Sequence, residues 1–547
     1  MKRYISLFLM SLLILGLVPV SSHAADSLIV KIGLNFGSDA VPAAKLENAD
    51  SASGFSLGFY ADADRSFRSI LETTEKQITV MKNKTMYINS SNQYYDTKPS
   101  SYKYYIGCYH LQGTTKYTTL AKAQAQVTKA KNLGLNAFVA FIHYGYYVRI
   151  GEFLTADSAK DAISSVENAT GLDLTVANPS NTCYTVAITG SDRILFQLDL
   201  GGTGLGVWPK GTQTKYDGWR YYGGLEFKRI NGNDMTVISV INMDQYVKGV
   251  IPYELSASWP EAALQAQALC AKSYAYNNMN KHKSQGFDLC NTTDCQVYHG
   301  TNSATAKTDA LCDALSGLYV LYNGKVANTY YHSHSGGWTD DCINIWGQDV
   351  PYLKAVEDKW LTRVNNYSFS TTNDTLTTIL KSKGNNLSAD VVDFYVGKYS
   401  PYGNAMTMCF TLADGTTLTF SGDKARTAIN SSSNGVYIGS HRYTIVTRIG
   451  IHVNGLLRQG KTDGFYAIGG DGKTATLDAV PKNIKVMTAS GLQTLDSTNV
   501  GYDVAGSGYG HNLGMSQWGA HGMANAGFKY DEIIKYYFTG VTIGRIK

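Results

Sequence analysis

The sequence predicts a multi-domain α+β protein: a ferredoxin-like small domain followed by a large mixed α/β domain. Three observations carry this. The chain has 547 residues, more than one hydrophobic core accommodates, so about two to four domains are expected. Residues 103–188 alternate strand and helix signals in the order β-α-β-β-α-β. The remainder is largely short apolar runs punctuated by Gly and Asn, with one long Ala-rich helix signal near its centre.

The first residues combine Lys2 and Arg3 with an apolar run, Ile5–Val20, and a small-x-small site at Ser22-His23-Ala24. This is the pattern of a secretory signal peptide over 1–24, or of a membrane anchor if it stays uncleaved. An extracytoplasmic protein, secreted or anchored, is expected. Residues 25–100 hold one alternating strand, Leu28–Gly33, and then polar Ser/Asn-rich sequence without visible chemistry. They read as a separate N-terminal module.

Over 103–170 a strand near Tyr104–Leu111 precedes a helix at Ala121–Leu133, which Gly134 stops. Strands Asn136–His143 and Tyr146–Glu152 flank a hairpin turn at Tyr144-Gly145, Ala156–Ala169 is a second helix, and Thr182–Ile188 supplies the last strand. Strands at Tyr184–Ile188, Arg193–Leu200, Tyr221–Arg229 and Met235–Val240 follow, with Arg229–Asp234 as a turn. A large domain over 182–547 is expected, with 357–495 as its β-rich framework.

Composition narrows the function classes. A hydrophobic share of 44% and a charged share of 17% suit a globular chain. The net charge is only +5 with no Lys/Arg-rich run, which argues against a nucleic-acid partner and is compatible with a moderately anionic polymer. The 39 tyrosines suit either stacking on sugars or a β-rich surface. The eight cysteines are dispersed, so this is no small disulfide scaffold.

The informative segment is Tyr246–Tyr276. Glu254 follows Ile251-Pro252-Tyr253 and precedes Leu255, where a strand-like run turns toward a helix. Apolar neighbours raise a carboxyl pKa toward working pH, as a general acid requires. Ser258 and Glu261 have capping-box spacing, which makes Glu261 structural. Near the C-terminus Gly506, Gly508, Gly510 and Gly514 permit unusual backbone, and His511, Ser516 and Gln517 are polar groups such a loop could present to sugar hydroxyls. His332 and His334 lack an evident third ligand and read as structural or substrate-facing. Cys290 and Cys295, with His282 or His299 nearby, fit a soft N/S zinc site or, in an exported protein, a disulfide.

Residues 103–170 resemble the sporulation-related repeat (SPOR) domain, most specifically in Val148-Arg149-Ile150-Gly151 with Phe153 before a helix. The resemblance implies binding of peptide-free glycan strands, through a sheet face and loops carrying Tyr144, Tyr146 and Arg149. Residues 244–276 resemble the core of the stage II sporulation protein D family: Gly249–Glu254, Ser258-Trp259-Pro260, Gln265–Ala268 and Lys272-Ser273-Tyr274. Two later blocks agree with it, 332–356 (His-Ser-His-Ser-Gly-Gly-Trp-Thr onward) and 506–540 (Gly-Ser-Gly-Tyr-Gly-His onward, with Gly-Met-Ser-Gln).

This resemblance implies a peptidoglycan lytic transglycosylase, with Glu254 as its single acid/base and no cofactor required. It also implies substrate contacts from Tyr253, Lys272, Tyr298, Ser335, Trp338, His511, Ser516 and Gln517, and optional zinc at Cys290 and Cys295. The implied partners are denuded glycan strands and a cell-wall amidase, in spore engulfment. A non-catalytic wall-binding amidase enhancer is the alternative, and a zinc-dependent wall hydrolase a third. Three departures bear on substrate detail: Lys272 replaces an expected Arg, Asn512 a Gly, and Trp338 a basic residue. Asp294 stands where some relatives carry His.

Overall fold

A computed structural model describes residues 28–50, 54–453, 456–461, 466–468, 474–476, 483–488 and 491–546. The signal peptide or membrane anchor expected over 1–24 lies outside them. No helix among the described residues is long and apolar enough to cross a membrane. The architecture is multi-domain α+β, as expected.

Two large sheets organise the first half. One is seven-stranded, in the order Leu289–Cys290, Ile29–Asn35, Met235–Asn242, Gly224–Arg229, Leu205–Pro209, Phe55–Tyr60, Phe67–Thr73. The other is ten-stranded, running Leu174–Ala177, Tyr109–Gly113, Gly145–Phe153, Ala137–Ile142, Ile194–Asp199, Cys183–Ile188, Gln77–Lys82, Ala43–Asn48, Gln213–Tyr216, Trp219–Tyr222. Chain from 29–82 alternates with chain from 183–242 in both sheets. Ile29 pairs with Asn242, Ser56 with Trp208, Val80 with Val186 and Leu46 with Tyr216. The expected boundaries at 100 and 182 are therefore crossed by backbone hydrogen bonds, and the N-terminal segment is woven into the larger body. Alternation of side chains reveals a strand but not its partner.

The β-α-β-β-α-β order is present in the ten-stranded sheet, with helices α1 (Leu120–Asn132) and α2 (Ala156–Thr170). Its last strand is Leu174–Ala177, which pairs with Tyr109–Gly113. The expected one, now Cys183–Ile188, instead pairs with Ile194–Asp199 and Gln77–Lys82. The hairpin turn is His143-Tyr144, both left-handed at φ 44° and 58°, one residue earlier than read from Tyr144-Gly145. That slip preserves the alternation of apolar positions on the strand behind it, with Ile142 opposite Gly145. Arg149 is buried, donating to Gln112 and Gln197, so it offers little to a glycan.

Helix α3 (Met243–Glu254) replaces the strand read through Glu254. Asn242 caps it, its side chain accepting from Gln245 N at 2.7 Å. Its buried residues Met243, Tyr246, Val247, Val250 and Ile251 recur at helical spacing. Pro252 has no N–H to donate to the carbonyl four residues back, and the helix ends two residues later, at Glu254. Helix α4 (Glu261–Asn277) follows, with Pro260 at its N-cap and no side-chain cap. The expected capping box is absent because Ser258 Oγ pairs with Ser256 Oγ at 2.8 Å. Lys307 holds the loop instead, donating to the Ala257 and Trp259 carbonyls.

One apolar core joins both sheets to α3, α4 and the C-terminal helices Gln517–Asn525 and Tyr530–Tyr537. A second core, from Leu376 to Val504, belongs to a β-rich insertion over 366–507. The two C-terminal helices are separated near Gly527, which has φ 91°.

Candidate active site

Glu254 is half-buried at the last position of α3. Tyr331 donates its hydroxyl to Oε1 at 3.1 Å, and Gln517 donates Nε2 to Oε2 at 3.2 Å. Gln296 fixes the Tyr331 hydroxyl by donating to it at 3.0 Å. Gln296 in turn accepts from Tyr246 at 2.9 Å and donates to the Ala271 carbonyl at 3.2 Å. Gln517 also reaches Gln267 on α4, at 3.5 Å. The acid thus stands at a meeting of α3, α4, the strand Tyr331–His332 and the parallel strand Met515–Ser516 beside it.

Burial raises the Glu254 carboxyl pKa, against the two hydrogen bonds, which favour the charged form. Both donors are neutral.

The other residues expected at the site divide in two. Tyr253 is half-buried, its ring edge-on to Trp219 and His299 and its hydroxyl on the His299 carbonyl at 3.3 Å. Trp338 is half-buried and stacks on Tyr402, 5.4 Å between centroids, so the insertion supplies its neighbour. His511 packs near His332 and Trp346, and burial lowers its pKa to about 4, leaving a neutral ring. Gln517 touches the acid directly.

Lys272, Tyr298, Ser335 and Ser516 are structural. Lys272 is 2% exposed and donates to Asp244 Oδ1 at 2.6 Å and the Leu315 carbonyl at 2.7 Å. A single short ammonium in a closed pocket explains Lys in place of Arg. Tyr298 fills the space that Gly249 leaves by lacking a side chain. Ser335 donates to Asp358 Oδ2 at 2.6 Å. Ser516 caps the helix Gln517–Asn525. His332 and His334 are also structural, their ring nitrogens bonded to the Leu513 and Arg363 carbonyls.

Asn512 is a second explained departure. It sits at φ 61°, a left-handed conformation that favours Gly or Asn. Its side chain accepts from His441 N and donates to the Ser335 and Trp338 carbonyls, tying the insertion to the site. Gly508, Gly510 and Gly514 also adopt positive φ, as the glycine spacing suggested.

The sequence did not mark Tyr331, Gln296, Gln267 or the buried Asp358. Tyr331 adjoins the His-Ser-His block and Gln267 lies within the Gln-Ala-Gln-Ala run, so motif position was their only signal. Gln296 follows Cys295 directly.

That loop has a second feature. His282 Nε2, Cys290 Sγ, an Asp294 carboxylate oxygen and Cys295 Sγ all lie within 4.8 Å of one another. Both thiols are free, so the disulfide is not formed. Cys295 lowers the Cys290 pKa to about 5 by hydrogen bonding. His282 donates Nδ1 to Gln285 at 2.8 Å, which leaves Nε2 facing the sulfurs. Two sulfurs, one nitrogen and one carboxylate oxygen suit tetrahedral zinc. His299 takes no part, being stacked on Trp219.

Comparison with known proteins agrees with the central motif. Residues 231–322 match the family model described as Stage II sporulation protein. An uncharacterised protein of Brachyspira hyodysenteriae (strain ATCC 49526 / WA1) is 29% identical over 328 residues, 60% of this chain and 73% of that protein. The amidase enhancer of Bacillus subtilis (strain 168) is 25% identical over 433 residues, 75% of this chain and 57% of the enhancer's length. Stage II sporulation protein D of the same organism is 25% identical over 324 residues, 55% of this chain and 74% of that protein. Residues 231–322 thus carry the family's domain, and the chain around them is similar to stage II sporulation protein D.

Proposed function

We propose that the chain is an extracytoplasmic lytic transglycosylase that cuts the MurNAc–GlcNAc bonds of peptide-free peptidoglycan strands. The observation that carries this is the isolated Glu254 carboxyl, raised by burial and held by two neutral donors. As an acid it protonates the glycosidic oxygen as the C1–O bond breaks. As a carboxylate it then accepts the proton of the muramyl C6 hydroxyl, whose oxygen bonds to C1. No water is consumed, one group serves both steps, and the product end is 1,6-anhydroMurNAc. Hydrolysis would call for two carboxylates at a set separation, and among the described residues none shares the Glu254 hydrogen-bond network. The setting proposed is wall remodelling in sporulation, in keeping with the family's name.

Mass spectrometry of products from peptide-free strands tests this, comparing the unsubstituted chain with Glu254→Gln. Anhydro ends from the unsubstituted chain alone are expected, while reducing ends would mean hydrolysis. A second reading is favoured by the relative named amidase enhancer: a wall-binding protein that stimulates an amidase. Glycan binding without products from either chain would select it.

His282, Cys290, Asp294 and Cys295 would hold zinc as a closed structural site, pinning the loop that carries Gln296 to the hydroxyl of Tyr331. Cys290→Ser/Cys295→Ser is expected to lose about one equivalent of zinc by elemental analysis and to melt at lower temperature. Equal metal content in both would exclude the site.

A further inference from the structure

The sequence showed no chemistry in the segment leading up to residue 100, yet part of it builds a distinctive surface. Strands Met86–Ile88, Tyr94–Tyr95 and Tyr104–Ile106 form a small sheet with Met86–Ile88 at its centre. Tyr87 stands opposite Tyr95 on one side and Tyr105 on the other. Directly paired residues share a face, so three tyrosines form a row across the sheet, about 10 Å wide at normal strand spacing. The opposite face is buried through Met86, Ile88 and Ile106.

The row faces outward. Tyr95 and Tyr105 are each 38% exposed and Tyr102 is 40% exposed. The Tyr102 ring lies edge-on to Tyr87 at 5.1 Å and to Tyr105 at 6.4 Å, which gathers four rings into one patch. A contiguous aromatic surface of this kind marks an interaction site.

Its border is cationic. Lys98 lies 5.8 Å from the Tyr102 ring centre. Among the described residues it makes no ion pair, while the nearby Asp96 is taken by Lys82 and Lys84. Flat rings carrying hydroxyls, bordered by an ammonium group without a carboxylate partner, suit a ligand with apolar ring faces, many hydroxyls and a carboxylate.

We propose that this face binds an anionic glycan strand, at a place separate from Glu254. The rings would take the C–H faces of the sugars, and Lys98 a carboxylate. The identity of the ligand rests on the glycan reading given above for the active site.

Co-sedimentation of the full chain with amidase-stripped wall glycan tests it. Tyr87→Ser/Tyr102→Ser/Tyr105→Ser is expected to bind about tenfold more weakly. Lys98→Glu keeps the rings in place and is expected to bind more weakly, with less dependence on salt. Both variants should retain cleavage of soluble strands, which also shows that they fold. Unchanged binding in both variants would overturn the patch and leave the transglycosylase reading standing. No binding by the unsubstituted chain, with products still formed, would also overturn the patch alone. No binding together with no products would overturn both.

Discussion

Two carboxyls lie close to the same pair of strands and differ in their access to a ligand. Glu254 is half-buried, at a helix end, and takes one hydrogen bond on each oxygen. Asp358 is 2% exposed and held by hydroxyls: Ser335 on Oδ2 at 2.6 Å, Tyr537 on Oδ1 at 2.8 Å, and Ser516 besides. Burial raises the pKa of both. A raised pKa therefore does not by itself identify the acid. What separates the two is access, since a proton must leave toward a ligand and Asp358 is enclosed by its own donors.

The comparison can be broken at its strongest point. Glu254→Gln should reduce strand cleavage by about a thousandfold or more while leaving the fold intact. Because burial raises the Glu254 pKa above its unfolded value, its contribution to stability is fully present below the unfolded pKa. That contribution is lost as pH rises through the folded pKa. The Gln variant should therefore melt no lower than the parent at neutral pH, as a thermal melt will show. A large drop in melting temperature would place Glu254 with Asp358 as structural. Asp358→Ala should show the reverse. Three buried hydroxyls lose their acceptor, at roughly 1 kcal/mol each, so denaturant unfolding should show a loss of about 3 kcal/mol. An unchanged midpoint would remove Asp358 from the framework.

The smallest effect sharpens the difference. Tyr331→Phe removes a hydrogen bond that favours the Glu254 carboxylate, so the pKa rises further. The protonated acid then persists to higher pH, and the falling limb of the pH–rate profile should move upward, with about a tenfold loss in kcat from looser positioning. A limb that stays in place would mean Tyr331 does not touch the acid in the working enzyme.

Glu254 was legible because its neighbours are contiguous: the Gly-Val-Ile-Pro-Tyr-Glu run and the helix after it lie in one stretch of chain. Its setting was less so. Val247, Val250 and Ile251 favour strand locally, but they fall on one face of α3, where packing decides. Tyr331 is 77 residues from Glu254 and Gln517 is 263 residues away, separations that no local pattern encodes. Lys272 and Tyr298 were expected at the substrate because they lie beside the motif. Helix α4 turns Lys272 into the core and the space beside Gly249 takes Tyr298, and only the fold reveals that. The outer tyrosine row was hidden for a related reason, since Tyr87, Tyr95 and Tyr105 become neighbours only through strand pairing.

The β-rich insertion leaves and rejoins the main body at one place, for Asn366 lies opposite Ser507 in an antiparallel ladder, about 5 Å away. A segment with its own core and adjoining ends can be gained or lost in a single genetic event, as domain insertions generally are. The contacts that hold Glu254 come entirely from chain outside the insertion.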